Sequence, residues 1–354
     1  MVSLSKTVRL SGEGMDNASG LTNTSSPPDL CIYKPLTAKV LLVQVLAGVF
    51  FYVNVLMIFT FFRKEAFRSD TRYILFAHML LVDSSLLATT DLAVLLMHFQ
   101  CIIPYTACMV LNLLMIWLEF CTPLTLVAMC LERYVAICKP LQYANISTPK
   151  TRLIGLFLIW GLASVPAVAV LLSFGVLVPA SQLSMWVLTC HVESVIVVEW
   201  QRHLQAAVYQ FYFLVMTVVI AFTYVKITVA ARAASGDNKK STSKGVRTVV
   251  LHAIQLLLCL IQLWSPFLEM SLLKVNFVVY IEVRFFNFVV FMIAPRCLSP
   301  LIYGLRDQKF YQVLKYYAAF GLNRETAKIS AAPAHFVSVV RLGHIEGFAF
   351  LKRR

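Results

Sequence analysis

Three charged residues lie deep inside apolar stretches of the sequence: Asp83, Glu119 and Arg296. An ion in such surroundings is costly unless it is paired, so it marks an ion pair, a relay or a ligand contact. Glu119 stands between Cys108 and Arg133 in one long apolar run. At ~1.5 Å per residue, it falls near the middle of a membrane-crossing helix. Met115, Glu119 and Thr122 share one face of that helix, a face expected to point inward. Two roles fit the carboxylate. It could receive an amine or another hydrogen-bonding ligand, or it could balance Arg296, which lies four residues before Pro300 and needs an anion. The need of Arg296 favours an internal polar cluster of Asn54, Asp83, Glu119 and Arg296, and ligand contact by Glu119 stays open beside it.

The remaining chemistry-bearing residues form no catalytic pattern. The nine cysteines include no CxxC pair and no Cys/His cluster at zinc spacing. There is no Walker loop, no GxSxG and no HExxH. The expectation is a protein that is not an enzyme, with no metal and no cofactor. The net charge of +14 invites a nucleic-acid reading. The bases sit between the apolar runs, however, and no basic domain forms, so no nucleic-acid partner is expected.

The elements that position these residues follow from composition. Of 354 residues, 59% are hydrophobic and 14% charged, against roughly 25% charged in soluble domains. Seven apolar segments can be drawn, at about Ala38–Phe62, Tyr73–Phe99, Tyr105–Cys138, Leu153–Val178, Leu204–Ala231, Val246–Leu273 and Phe277–Leu305. Each is long enough to cross a bilayer, and backbone satisfaction in lipid makes runs this long helices. The fold class is therefore all-α membrane protein, a seven-transmembrane helix bundle with a short amphipathic eighth helix. That last helix is read over 306–320, where Phe310, Val313, Leu314 and Tyr317 recur at helical spacing with bases opposite.

Loop charge sets the orientation. Arg63, Lys64, Arg68 and Arg72 follow the first segment, and Lys139, Lys150 and Arg152 follow the third. Arg232, Lys239, Lys240, Lys244 and Arg247 follow the fifth. Basic loops stay in the cytoplasm, so an odd span count puts the N-terminus outside a multi-pass plasma-membrane protein that contacts membrane lipids. Residues 1–37 read as a disordered extracellular arm, 38–305 as the bundle, 306–320 as the juxtamembrane helix and 321–354 as a cytoplasmic tail. The arm lacks a signal-peptide core and carries glycosylation sequons at Asn17 and Asn23. A third sequon at Asn145 falls in a cytoplasmic loop and should stay bare.

The third segment ends Met129-Cys-Leu-Glu-Arg-Tyr-Val-Ala-Ile-Cys-Lys-Pro-Leu-Gln-Tyr143. This resembles the MAxDRYVAICxPLxY signature of odorant receptors, with Glu132 in place of Asp. Ser299-Pro300-Leu301-Ile302-Tyr303-Gly304-Leu305-Arg306 is similar to the family's NPxIYxLR, with Ser for Asn. Lys244, Thr248 and His252 keep the spacing of KAxxTCxSH, with Val249 for Cys. Asn54 and Asp83 match the wider rhodopsin-like pattern. Trp264-Ser265-Pro266 resembles the WxP of general rhodopsin-like receptors, and the 4–5 loop has one cysteine, Cys190, where typical odorant receptors have three. The resemblance covers about residues 38–320 and places the chain in a divergent odorant-receptor branch.

The resemblance implies a chemosensory G-protein-coupled receptor for a small odorant-like molecule. It implies a heterotrimeric G protein of the stimulatory olfactory type as partner. Arg133 would turn from Glu132 to the G protein on activation, with Tyr134 beside it and Tyr224 and Tyr303 holding the active arrangement near Pro300. Cys108 and Cys190, both outside, would form a disulfide over the pocket, and Cys31 with Cys101 leaves room for a second. Pro266 would kink the sixth helix into a lever, with Trp264 sensing the ligand. Depth and face assign Met115, Ile116, Glu119, Tyr209, Gln262, Trp264 and Glu269 to the pocket, with Asp91 a further candidate. Arg296 would stand where rhodopsin-like receptors often hold sodium. An endogenous amine, lipid or peptide receptor is the alternative reading; a transporter or channel lacks the internal repeat such proteins commonly show.

Overall fold

The computed structural model describes residues 31–32, 34–177, 186–187, 190, 198–233, 250, 254, 257–258, 261–262, 264–265, 268–269, 271–272, 275–297 and 310–314. Among them, six helices are long and apolar enough to cross a membrane. In chain order the elements are α1 (Ala38–Arg63), α2 (Glu65–Ser69), α3 (Thr71–His98), β1 (Ile103–Pro104), α4 (Tyr105–Cys138), α5 (Pro140–Ile146), α6 (Pro149–Leu177), β2 (Trp186–Val187) and α7 (Glu199–Ala233). The described residues from 250 to 272 are all helical and constitute α8. α9 (Phe277–Asn287) continues through a π-helix at Phe288–Ile293, and helical residues 310–314 form α10.

The helices start where local chemistry allows. Asp70 accepts from the Arg72 amide and caps α3, while Asn276 accepts from Val278 and Val279 at the head of α9. Pro140 opens α5 at a position where its missing N–H costs nothing. Neither α2 nor α5 stands out from loop in the sequence, because five or seven residues show too little periodicity. The π-turn is equally silent in the sequence, since a change from 3.6 residues per turn leaves no mark in an apolar run.

Burial is arranged for lipid. α4 is the central helix and packs against α3, α6 and α7, and α1 packs on α3. Of its apolar window 56% is buried, against 17% in α6, so α4 sees protein where α6 sees mostly lipid. Val49, Val55, Phe157, Leu172, Phe211 and Leu214 are exposed, whereas Asn54, Asp83, Thr122, Thr125 and Arg296 are buried. Polar groups turned inward and apolar ones outward are the pattern a bilayer imposes. At one end, Phe310 of α10 is buried against Phe67, Tyr73 and Phe76. At the other end, β1 and β2 pair antiparallel, with Ile103 opposite Val187 and Pro104 opposite Trp186. Two disulfides close this end, Cys108–Cys190 and Cys31–Cys101. Gln100 takes a left-handed φ of 50° and turns the chain out of α3, and the Ile32 amide donates to the Phe99 carbonyl close by.

Candidate functional site: a polar ring beneath a ligand-sized cavity

The deep charges are joined by Gln262, a residue whose depth and face in the sequence point to the pocket. Arg296 Nε lies 3.8 Å from Asp83 Oδ1, with the two side chains 2% and 0% exposed. The Arg296 guanidinium donates to the Met292 carbonyl and, at 3.1 Å, to Gln262 Oε1. Gln262 Nε2 in turn donates to Glu119 Oε1 at 2.9 Å. Thr122 Oγ1, one turn from Glu119 on α4, donates to Asp83 Oδ1 at 2.7 Å. The circuit Glu119–Gln262–Arg296–Asp83–Thr122 thus starts and ends on α4, whose backbone joins Glu119 to Thr122, and ties α3, α4, α8 and α9. Gln262 is the bridge: its amide presents a donor to the anion and an acceptor to the cation. Asn54, fully buried, donates to Ser84 Oγ at 2.8 Å beside this ring.

Above the ring lies a cavity of about 580 Å³, within the ~300–1,000 Å³ range of small-molecule sites. Glu119, Gln262, Met115 and Met292 line its lower part. Val43, Leu86, Val94, Asn112, Phe285 and Phe288 line its walls, and Cys190 is at its outer end. Asn112 donates towards both sulfurs of the Cys108–Cys190 bridge.

Of the residues assigned to the pocket by depth and face, Met115, Glu119 and Gln262 line the cavity, and five, counting Asp91, do not. Trp264 is 40% exposed and leans on Phe213. It sits two residues from Gln262, hence about 200° around the helix, and cannot share its face. Ile116, next to Met115, is buried in the protein core. Tyr209 packs edge-on against Phe120 and accepts from Gln205. Glu269 is buried and accepts from Asn287 Nδ2 at 3.0 Å. Asp91 accepts from Gln44 between α1 and α3. Lys39, Thr90, Tyr280 and Arg284 line the cavity without having been anticipated. The four-residue spacing of Tyr280 and Arg284 within α9 is visible in sequence, but the rotation that aims them inward is not.

The far end of α4 carries a second arrangement. Arg133 Nε stands 3.7 Å from Glu132 Oε2, and Tyr143 of α5 donates to Glu132 Oε1 at 2.8 Å. Burial, then the bond to Glu132, pushes the Tyr143 hydroxyl up to about 12, so it stays a donor throughout the physiological range. The Tyr134 ring lies 5.9 Å from that of Phe222 on α7, and Tyr224 is half-buried on the same helix. Pro300, Tyr303, Asn17 and Asn23 lie outside the described residues, as do 1–30 and 315–354.

Apolar helices gathered around inward-facing ions and a cavity of ligand size define a polytopic helical membrane protein. The family is given by comparison: residues 53–303 match the model of the 7 transmembrane receptor (rhodopsin family), and the chain belongs to that family of receptors. Odorant receptor 131-2 of Danio rerio is 47% identical over 301 residues, which cover 85% of this chain and 92% of that receptor. Galanin receptor type 2 of Mus musculus is 26% identical over 226 residues, 58% of this chain and 55% of that receptor.

Proposed function

We propose that this chain is a chemosensory receptor of odorant type. It binds a small organic ligand in the cavity between α1, α3, α4, α8 and α9, and activates a heterotrimeric G protein of the stimulatory olfactory type. The observation that carries this reading is that Glu119 and Gln262 are at once cavity lining and members of the ring joined to Arg296 and Asp83. A ligand that competes for the Gln262–Glu119 bond changes the balance of forces on α8 without touching its far end. Differential affinity for two states is all a ligand needs to shift a population. The state it favours has α8 moved outward at the Arg133 end, opening a cleft for the G protein. Odorant receptor 131-2, by its name and its likeness, supports the odorant class.

In this reading the chain sits in the plasma membrane with its N-terminus outside, since the basic residues Arg63, Lys64, Arg68 and Arg72 gather at the Arg133 end. Residues 1–37 form the outer arm, glycosylated at Asn17 and Asn23. Residues 38–305 form the bundle, 306–320 lie on the inner leaflet and 321–354 form the tail. Glu132, held by Tyr143, keeps Arg133 in the resting position, and Tyr134, Tyr224, Pro300 and Tyr303 serve the active one.

The test is a cAMP assay of the expressed receptor against an odorant and amino-acid panel, run in parallel on Glu119→Gln. Loss of response to one ligand class at normal surface level assigns Glu119 to ligand contact. Loss of surface receptor, and with it every response, assigns it to the ring. A wild-type receptor that answers nothing on the panel and lacks basal coupling overturns the odorant reading. Tyr143→Phe removes a bond to an ionised group, worth about 1.5–3 kcal/mol at most. It is expected to raise ligand-independent cAMP roughly two- to fivefold at equal surface level, an estimate from the same bond energy diluted by partial exposure. An unchanged or lower basal level would show that Tyr143 does not restrain Arg133.

The rhodopsin-family match also admits an endogenous amine, lipid or peptide receptor, and a cavity carboxylate such as Glu119 suits an amine. Expression confined to olfactory tissue argues for the odorant reading, and broad expression for this one.

A further inference from the structure

The Arg133 end of the bundle gathers cations that have no counter-ion. Arg152, in the first turn of α6, reaches across to α2, where its guanidinium donates to the Ser69 carbonyl at 2.6 Å. Its Nε is buried and has no acceptor. Arg68, the residue before Ser69, is exposed, and so is Lys150, two residues before Arg152. Thr71 and Ser147, bonded at 2.6 Å, hold the start of α3 to the end of α5 beside them. Among the described residues no carboxylate pairs with Arg68, Lys150 or Arg152; the ion pairs engage other cations. Asp70, two residues from Arg68, caps α3 and stands 3.7 Å from Arg72. Below this corner α6 turns apolar side chains to the lipid. Leu153, Ile154 and Phe157 lie three, four and seven residues beyond Lys150, on its face of the helix, and all three are exposed. Three cations therefore stand at the head of an apolar track that runs down into the bilayer.

We propose that this corner binds a phosphoinositide of the cytoplasmic leaflet, with its phosphorylated headgroup on Arg68, Lys150 and Arg152 and its acyl chains on Leu153, Ile154 and Phe157. The proposal rests on the orientation read above, which puts the Arg133 end in the cytoplasm. Basic clusters at that level attract anionic lipid, and each base near the surface strengthens the attachment by about fivefold. The guanidinium fork matches phosphate oxygens bidentately, and the Lys150 ammonium serves as a point charge. The number of cations selects the headgroup. A lipid with a single net negative charge, such as phosphatidylserine, leaves two of the three cations unbalanced, whereas a bisphosphorylated inositol balances all three. A soluble inositol phosphate carries the same charges and has nothing to lay on the apolar track.

The probe is phosphatidylinositol bisphosphate, titrated into phosphatidylcholine nanodiscs that hold the full-length protein, with the apparent melting temperature as readout. The melting temperature is expected to rise and then saturate. Phosphatidylserine at matched total charge should raise it less, and soluble inositol trisphosphate should leave it unchanged. Arg68→Gln/Lys150→Gln removes two exposed side chains. It should melt like wild type in pure phosphatidylcholine, yet need about tenfold or more of the bisphosphate lipid for half the rise. Lys139→Gln/Lys226→Gln removes the same charge at the same end, on the side where Cys138 approaches the Lys226 carbonyl, and should titrate like wild type. The proposal is overturned if no anionic lipid shifts the melting temperature, or if phosphatidylserine acts equally at matched charge. It is also overturned if inositol trisphosphate acts by itself, or if the two double variants lose equally. Both leaflets of a nanodisc carry the probe, so a failure to bind counts against the site and not against the orientation. The receptor reading, which stands on ligand response, is untouched by either result.

Discussion

Arg296→Met is expected to destabilise the receptor by about 3–5 kcal/mol, the usual cost of removing one partner from a buried ion pair. The guanidinium is 2% exposed, and Asp83 beside it is 0% exposed. Without the cation, Asp83 keeps only the Thr122 hydroxyl among the bonds described above, and the Gln262 carbonyl oxygen loses its donor. Methionine fills most of the volume, so the loss is electrostatic rather than a cavity. The check is the apparent melting temperature of detergent-solubilised receptor, with surface level in cells as a second readout. The double variant Asp83→Asn/Arg296→Met should recover much of the loss, because the fully buried Asp83 charge goes with its cation, the Asn amide oxygen still accepts from Thr122, and Glu119 keeps its bond from Gln262 at the cavity. If the single variant melts like wild type, or the double variant falls by the sum of two independent losses, the ring is not coupled as described.

Cys108→Ser is expected to cost about 2–5 kcal/mol, as removal of a native disulfide typically does, and to abolish ligand response. Cys108 is fully buried, and Cys190 forms part of the cavity wall. The bond also fixes Asn112, which donates towards both sulfurs. Cys31→Ser should be milder. The two bridges close loops of similar length, with sequence separations of 70 and 82, so their effects on the unfolded chain are close. The difference lies in the folded protein, where Cys31 is exposed and does not line the cavity. Surface labelling and cAMP response to an active odorant, measured side by side, decide it. A Cys31→Ser variant as impaired as Cys108→Ser would place the N-terminal segment in the binding site.

Glu132 keeps the carboxylate of Asp with one more methylene, which is compatible with its pairing to Arg133 and Tyr143. Trp264-Ser265-Pro266 looked like a ligand sensor by analogy with other rhodopsin-like receptors. In the fold Trp264 faces outward against Phe213, and Gln262 has the inward position.

The sequence by itself determined what depends on local chemistry and on the bilayer. Runs of apolar residues long enough to span lipid become helices because an unpaired backbone group is too costly there. Those runs place Asp83, Glu119 and Arg296 at depth, where any ion needs a partner. The Glu132-Arg133-Tyr134 run needs no fold to be read. Which partner each ion takes was decided only by tertiary structure. The rise of a helix fixes depth to within a turn, but its rotation and tilt are set by packing against neighbours. Rotation of α8 puts Gln262 between Glu119 and Arg296 and sends Trp264 outside. Rotation of α9 turns Arg284 and Tyr280 to the cavity, and the π-turn at Phe288–Ile293 adjusts the phase below them. A deep cluster of Asp83, Glu119 and Arg296 was therefore legible, whereas its bridging amide and the inward turn of Tyr280 and Arg284 above it were not.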